Sequence, residues 1–214
     1  MSRVFFLSGI DTDAGKTYAT AYLARMFMDK GLKVATQKFI QTGCREFSED
    51  IEAHRRLLGT GPLPEDLDHT TAPVIFTYPA SAQLAARIDG REIDLDAIDR
   101  STAILADRYD VVIVEGAGGL MVPITDEFLT IDYIASRKLP VVLVTNGVLG
   151  SINHTLLSLE AIASRGIELA AVIYNKHFDT DAVIAADTLG FIRRHLARRF
   201  PAVELIEMPS FPAK

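Results

Sequence analysis

The stretch Gly9-Ile10-Asp11-Thr12-Asp13-Ala14-Gly15-Lys16-Thr17 decides the reading of this chain. The apolar run Val4-Phe5-Phe6-Leu7 precedes it. Behind it come Ala19, Leu23 and Met26/Phe27 at helical spacing, stopped by Gly31. A glycine-bracketed loop between a buried strand and a helix is a phosphate cradle. Its glycines let backbone N–H groups turn toward phosphate oxygens, and the helix start adds the positive end of its dipole. Lys16 can reach β- and γ-phosphates as a point charge, and the Thr17 hydroxyl can ligate Mg2+. Residues 10–14 separate the glycines, one more than the usual loop carries. A plain glycine turn before an ordinary helix is the alternative. Gly-Lys-Thr at a strand-to-helix junction disfavours it.

Outward from this loop the pattern repeats. Apolar, β-branched runs at 4–7, 34–37, 111–114, 141–145 and 170–174 do not alternate with polar residues. Both of their faces are therefore expected to be covered, as in central strands of a parallel sheet. Helical patterns at 17–30, 94–108, 151–165 and 180–199 lie between or after them, with a further helical stretch at 50–58. The alternation predicts an α/β fold: a doubly wound, mostly parallel sheet with helices on both faces, P-loop nucleoside triphosphate hydrolase-like. One domain is expected over 1–214, with prolines near 62–64 and 73–79 marking irregular loops.

Composition narrows the class. Of 214 residues, 49% are hydrophobic and 23% charged, values that exclude collagen-like, disordered and coiled-coil chains. Lys plus Arg number 22 against 28 Asp plus Glu, a net charge of −6, which disfavours a nucleic-acid partner. A single cysteine, Cys44, excludes an internal disulfide and a thiolate zinc site. The five histidines (54, 69, 154, 177, 195) show no metal-ligand spacing. The N-terminal apolar run is too short for a secretory segment, and no stretch reaches the ~18 apolar residues of a membrane span. The expectation is a soluble cytoplasmic protein with no membrane partner.

Ligands in such sheets bind at the carboxyl ends of strands, so the residues just after each strand carry the chemistry. Glu115 follows the 111–114 strand and opens Glu115-Gly116-Ala117-Gly118-Gly119. A carboxylate there suits a nucleotide-bound Mg2+; beside the phosphate loop this outweighs a surface strand-end acid. Lys38 ends the second strand, where it could stabilise charge on a transferring phosphoryl group, though a solvated lysine is the blander reading. Asp50 starts a helix, a position the helix dipole favours by itself. Asn175 follows the last clear strand and could bond a purine edge or simply form a turn. Backbone contacts beside it could accept other bases. Gly150-Ser151-Ile152-Asn153 opens a helix, a natural carboxylate site, with capping as the alternative.

Four motifs in this order resemble the dethiobiotin synthetase family over residues 4 to about 177. The family's Gly-x-Asp-Thr-x-x-Gly-Lys-Thr fits residues 9–17, including the longer interval. Its Lys-Pro-x-x-Ser/Thr-Gly segment fits residues 38–43, with Phe39 in place of proline. Val-Glu-Gly-Ala-Gly-Gly matches residues 114–119, and Leu-Gly-x-Ile-Asn-His matches 149–154. Asn175 matches the family's strand-end Asn, and Glu207-Met208-Pro209 resembles its nucleotide-contacting tail.

The resemblance implies a Mg-ATP-dependent cyclo-ligase of biotin biosynthesis. The substrate 7,8-diaminopelargonate (7,8-diaminononanoate) captures CO2, supplied with bicarbonate, as a carbamate. A carbamate oxygen attacks the γ-phosphorus, and the second amine closes the resulting carbamic–phosphoric anhydride, releasing phosphate. Lys16 and Lys38 are the implied catalytic residues, and Thr17, Asp50 and Glu115 surround Mg2+. The nucleotide is implied to contact Asp13, Ala14, Gly15 and Tyr18 around Lys16 and Thr17. It is further implied to contact Gly116, Ala117 and Gly118 beside Glu115, and Asn175, Lys176, Met208 and Pro209. Implied substrate contacts are Thr12, Lys38, Thr42 and Gly119, with Gly150, Ser151, Ile152 and Asn153 holding the substrate carboxylate across a homodimer interface. Two rival readings are a switch ATPase of the partitioning class and a small-metabolite kinase. The first normally has a second lysine inside the loop, which residues 10–14 lack. The Glu-Gly-Ala-Gly-Gly run with Lys38 and Thr42 disfavours the second.

Overall fold

The computed structural model describes residues 2–210. Its centre is the strand β1 (Arg3–Gly9), flanked on one side by β5 (Val111–Gly119) and on the other by β6 (Val141–Asn146). Beyond β5 lies β2 (Val34–Lys38). Beyond β6 lie β7 (Leu169–Asn175) and β8 (Glu204–Met208). All five pairings are parallel, giving the order β2-β5-β1-β6-β7-β8. A second, two-stranded parallel sheet joins β3 (Gln41–Thr42) to β4 (Ile75–Phe76).

The expected strands are present and extend further than their apolar runs. β5 continues through Gly119 because its glycine run still pairs with β1, Gly9 opposite Gly119 after a register shift. Crossovers are helical: α1 (Lys16–Met28) and α2 (Glu49–Leu58), α3 (Pro64–Leu67) and α4 (Ala82–Ile88), α5 (Leu95–Arg108), α6 (Thr130–Ser136), α7 (Ser151–Ser164) and α8 (Ala182–Arg199). Helix starts shift from the sequence reading where a side chain caps. Asp94 accepts from Ala97 N–H (2.7 Å) and so stays outside α5. Asp181 accepts from Val183 and Ile184 N–H, so α8 begins at 182 and not 180.

The two proline-marked segments are irregular as expected except where short elements begin or cross them. Pro64 takes the first position of α3, where its missing N–H costs nothing, and Ile75–Phe76 pair with β3. β8 went unread altogether. Its glutamates break the apolar run, as suits an edge strand.

Alternating side chains divide the core between the two faces. Phe6, Val112, Val114 and Leu143 pack with Ile98, Leu105 and Tyr133 on one side. Leu7, Val111, Ile113 and Val142 pack with Ala19, Leu23 and Leu58 on the other, the face that α1 and α2 cover. Among the described residues, no helix is long and apolar enough to cross a membrane.

Candidate active site

The loop after β1 turns into α1 through Gly15, whose φ of 84° is left-handed. A Cβ at this position would lie 2.3 Å from Asn175 Nδ2, so both conformation and space require glycine. No side chain caps α1, which leaves its first amides facing the loop. Lys16 folds back over that loop. Its ammonium donates to the carbonyls of Asp11 (3.0 Å) and Thr12 (2.8 Å). Burial, and next the nearby Lys38 ammonium, push Lys16 down to about 8.

Strand register assembles the rest. Lys38 at the end of β2 lies directly opposite Glu115 on β5, and Glu115 opposite Leu7 on β1. Register partners point to the same face, so the two charged heads meet. Lys38 Nζ lies 2.9 Å from Glu115 Oε1, 3.2 Å from Gly116 O and 2.5 Å from Asp50 Oδ2. These three acceptors match the three N–H bonds of an ammonium. The same face receives α2, whose N-terminus brings Asp50. Ser48 caps that helix, accepting from Ile51 N–H and donating to Gln41 Oε1 (2.6 Å). Thr17 Oγ1 lies 3.1 Å from both Asp50 Oδ1 and Glu115 Oε1.

Phe39, the departure from the family proline, has a consequence here. Its N–H donates to Glu115 O (2.8 Å), a bond that proline could not make, and its ring packs on Phe6 and Tyr133. Lys38 and Glu115 are thus tied through backbone as well as side chain.

The charges settle each other. Burial would lower the Lys38 ammonium, but the Glu115 and Asp50 carboxylates outweigh it and raise it above the ordinary lysine value. Burial would raise Glu115, but Lys38 and His54 hold it well below the usual carboxylate range. Both side chains are nearly sealed, at 7% and 1% exposure, so this pairing is what permits their charge at all.

Thr17, Asp50 and Glu115 present only oxygen to one point, the donor set Mg2+ favours. Among the described residues no group of three or more His, Cys, Asp or Glu could hold a metal. Two carboxylates and a hydroxyl beside a phosphate loop fit an ion that takes its other ligands from phosphate and water.

Other residues from the sequence reading lie around this cluster. Ala14 is buried under the loop, while Thr12 and Asp13 are exposed on it and Tyr18 is exposed one turn into α1. Gly116, Ala117, Gly118 and Gly119 form the tip of β5. Thr42 is half-buried in the small sheet, opposite Phe76. Met208 pairs with Asn175 in register, its side chain buried, and Pro209 is exposed after it. Lys176 is engaged at its head by Glu207 (2.6 Å).

Two residues that the resemblance places at ligands face inward. Asn175, read as either a purine contact or a turn residue, is 1% exposed, its Nδ2 donating to Ala14 O (3.2 Å) and its Oδ1 accepting from His177 N–H (3.0 Å). It braces the phosphate loop from behind. Ser151 lies in the 150–153 segment read as a carboxylate site or plain helix capping. It is 4% exposed and its Oγ donates to Asn146 Oδ1, while its own N–H donates to Val148 O. Ile152 is half-buried, and Gly150 and Asn153 are exposed at the start of α7.

Sequence reasoning missed His54. It is fully buried, with Nε2 2.6 Å from Glu115 Oε2. The signal lay in its spacing: four residues after Asp50, on the same face of α2.

A phosphate loop between β1 and α1, with a carboxylate and a lysine at the neighbouring strand tips, defines a P-loop ATPase. The fold is shared with solved structures: the chain superposes over its full length on a ParA family ATPase from Chlorobium tepidum TLS (TM-score 0.55, 17% identity, 86% of that chain). It also superposes over its full length on a signal recognition particle receptor FtsY from Elizabethkingia anophelis with GDP (TM-score 0.53, 16% identity, 58% of that chain). A family model described as an AAA domain matches residues 3–206. The chain is 48% identical over 94% of its length to an ATP-dependent dethiobiotin synthetase from Pasteurella multocida, covering 94% of that protein. It is 51% identical over 92% of its length to another from Chlorobaculum tepidum, covering 82% of it. The chain belongs to the ATP-dependent dethiobiotin synthetase family.

Proposed function

We propose that this site closes the ureido ring of dethiobiotin from 7,8-diaminopelargonate, CO2 and ATP. One observation carries the reading beyond family membership: two lysines, two carboxylates and a threonine converge beside the phosphate loop. No nucleophilic Ser–His or Cys–His pair is needed, because phosphoryl transfer rests on positioning and charge neutralisation.

In this reading Lys16 leaves the Asp11 and Thr12 carbonyls to bind phosphate oxygens. The α1 N-terminus, with Asp13, Ala14, Gly15 and Tyr18, frames them. Thr17, Asp50 and Glu115 hold Mg2+, which when bound offsets charge on the β- and γ-phosphates. Lys38 then exchanges a carboxylate contact for the carbamate and the transferring group, where charge develops. Thr12, Thr42 and Gly119 orient the diamine. Asn175 sets the shape of the loop on the nucleotide side, with Lys176, Met208 and Pro209 beside it, and Gly116, Ala117 and Gly118 lie at the tip of β5.

A homodimer is part of the proposal. Val148 and Leu149 are 47% and 82% exposed, directly before Gly150-Ser151-Ile152-Asn153. A second copy covering this corner would bring a helix start to the distal carboxylate of the substrate. One P-loop unit working in the cytoplasm, where ATP is supplied, completes the reading.

The test is incubation with diaminopelargonate, bicarbonate, Mg2+ and ATP. Dethiobiotin, ADP and phosphate are expected in equal amounts. Folded protein that yields no dethiobiotin would contradict the reading.

A further inference from the structure

Glu115 is gripped from two sides. Its Oε1 meets Lys38 and Thr17, on the phosphate side, while its Oε2 meets only His54 among the described contacts. An ionised carboxylate accepts and never donates, so His54 Nε2 carries the hydrogen of that 2.6 Å contact. The other ring nitrogen, Nδ1, lies 3.1 Å from Thr36 Oγ1. Arg55 Nη1 donates to that same oxygen (2.9 Å). In the neutral Nε2–H tautomer Nδ1 is bare, and the Thr36 hydroxyl donates to it. Arg55 is itself fixed by a two-pronged contact to Asp66, at 2.9 and 2.8 Å. In that tautomer the contacts form a directional chain: Arg55 donates to Thr36, Thr36 to His54, and His54 to Glu115. Thr36, His54 and Arg55 are all buried.

We propose that His54 is a positioning residue: its Nε2–H fixes Glu115 Oε2 so that Oε1 is presented toward Thr17 and Asp50 as a metal ligand. This rests on the reading of Glu115 as a Mg2+ ligand. α2 sets both carboxylates at once, Asp50 from its first turn and Glu115 through His54 one turn on. A hydrogen-bonded partner behind a ligand is worth about 10–100-fold in metal affinity when removed.

Three variants and one spectrum test it. Mn2+ binding to the ADP complex is titrated by its electron paramagnetic resonance signal. Glu115→Gln is expected to lose binding. His54→Leu is expected to need about 10–100-fold more Mn2+. His54→Gln, whose amide can still donate, is expected to bind near the wild-type level. Wild-type affinity in Glu115→Gln removes the metal-ligand reading and this inference with it. Loss in Glu115→Gln with wild-type affinity in His54→Leu overturns the inference alone. If His54→Leu does not fold, long-range 1H–15N spectra of the unaltered, metal-free protein decide: a proton on His54 Nε2 with Nδ1 bare is expected, and a proton on Nδ1 with Nε2 bare overturns it.

Discussion

Lys38 and Glu115 are register partners on adjacent parallel strands, and their heads meet 2.9 Å apart inside the protein. The pair is a product of the sheet: shifting β2 by one residue would send Lys38 to the opposite face. Lys38→Ala is expected to lower kcat by about 10²–10³, the scale of one charge-stabilising donor. It should also destabilise the free protein, since Glu115 keeps its burial and loses its ammonium. A folded Lys38→Ala variant turning over at the wild-type rate would exclude the catalytic role.

Lys16 trades stability for function. Burial and Lys38 bring it to about 8, below its unfolded 10.5. The unfolded chain therefore binds more protons between those values, and stability rises with pH across that window. Lys16→Met is expected to stabilise the nucleotide-free protein at pH 7 by up to about 3 kcal/mol while abolishing most activity. Its advantage should shrink from pH 8 toward 10.5. Denaturant titrations at several pH values check this, and an advantage that grows with pH would contradict it.

Asp66 behaves oppositely. Burial would raise its carboxyl, but the Arg55 fork, the Leu63 N–H and Thr71 hold it below the usual range. Its contribution to stability is complete above the unfolded value of 3.8 and is lost as pH falls through the lower folded value. Asp66→Asn should cost about 3 kcal/mol at neutral pH, and the gap from wild type should close at acid pH below 3.8. A gap that is independent of pH down to that range would show that the charge is not what matters.

Gly15→Ala combines a left-handed φ with a Cβ 2.3 Å from Asn175 Nδ2. The loop must then shift or release Asn175. ATP affinity should fall more than global stability, whose loss should stay near 1–3 kcal/mol. Calorimetric ATP titration against thermal melting separates the two, and unaltered ATP binding would contradict the bracing role of Asn175.

Asp50→Ala should raise the Mg2+ needed for half-maximal turnover by about tenfold or more, with a smaller change in the KM for the diamine. An unchanged Mg2+ titration would remove Asp50 from the metal site.

Much of this was legible in the sequence because the chemical residues sit at strand tips or at the helix starts that follow strands. Glu115 ends an apolar run, Lys38 ends the β-branched stretch at 34–37, and Thr17 follows the loop lysine, so fold class and cluster follow together. β8 was hidden by Glu204 and Glu207, which edge exposure tolerates. His54 was hidden because a lone histidine on a helix carries no chemical signature; its spacing four residues after Asp50 puts it on the cluster's face, and the register of β2 against β5 sets what it meets there. The inward turns of Asn175 and Ser151 depend on contacts with Ala14 and Asn146, distant or folded-back partners that linear spacing does not encode.

The central chemical claim is that the site directs a carbamate oxygen onto the γ-phosphorus. Turnover with 18O-labelled bicarbonate in unlabelled water, stopped before the label exchanges, tests it through the mass of the released phosphate. One 18O atom per phosphate, formed in step with dethiobiotin, is predicted. Dethiobiotin accompanied by unlabelled phosphate would contradict the account.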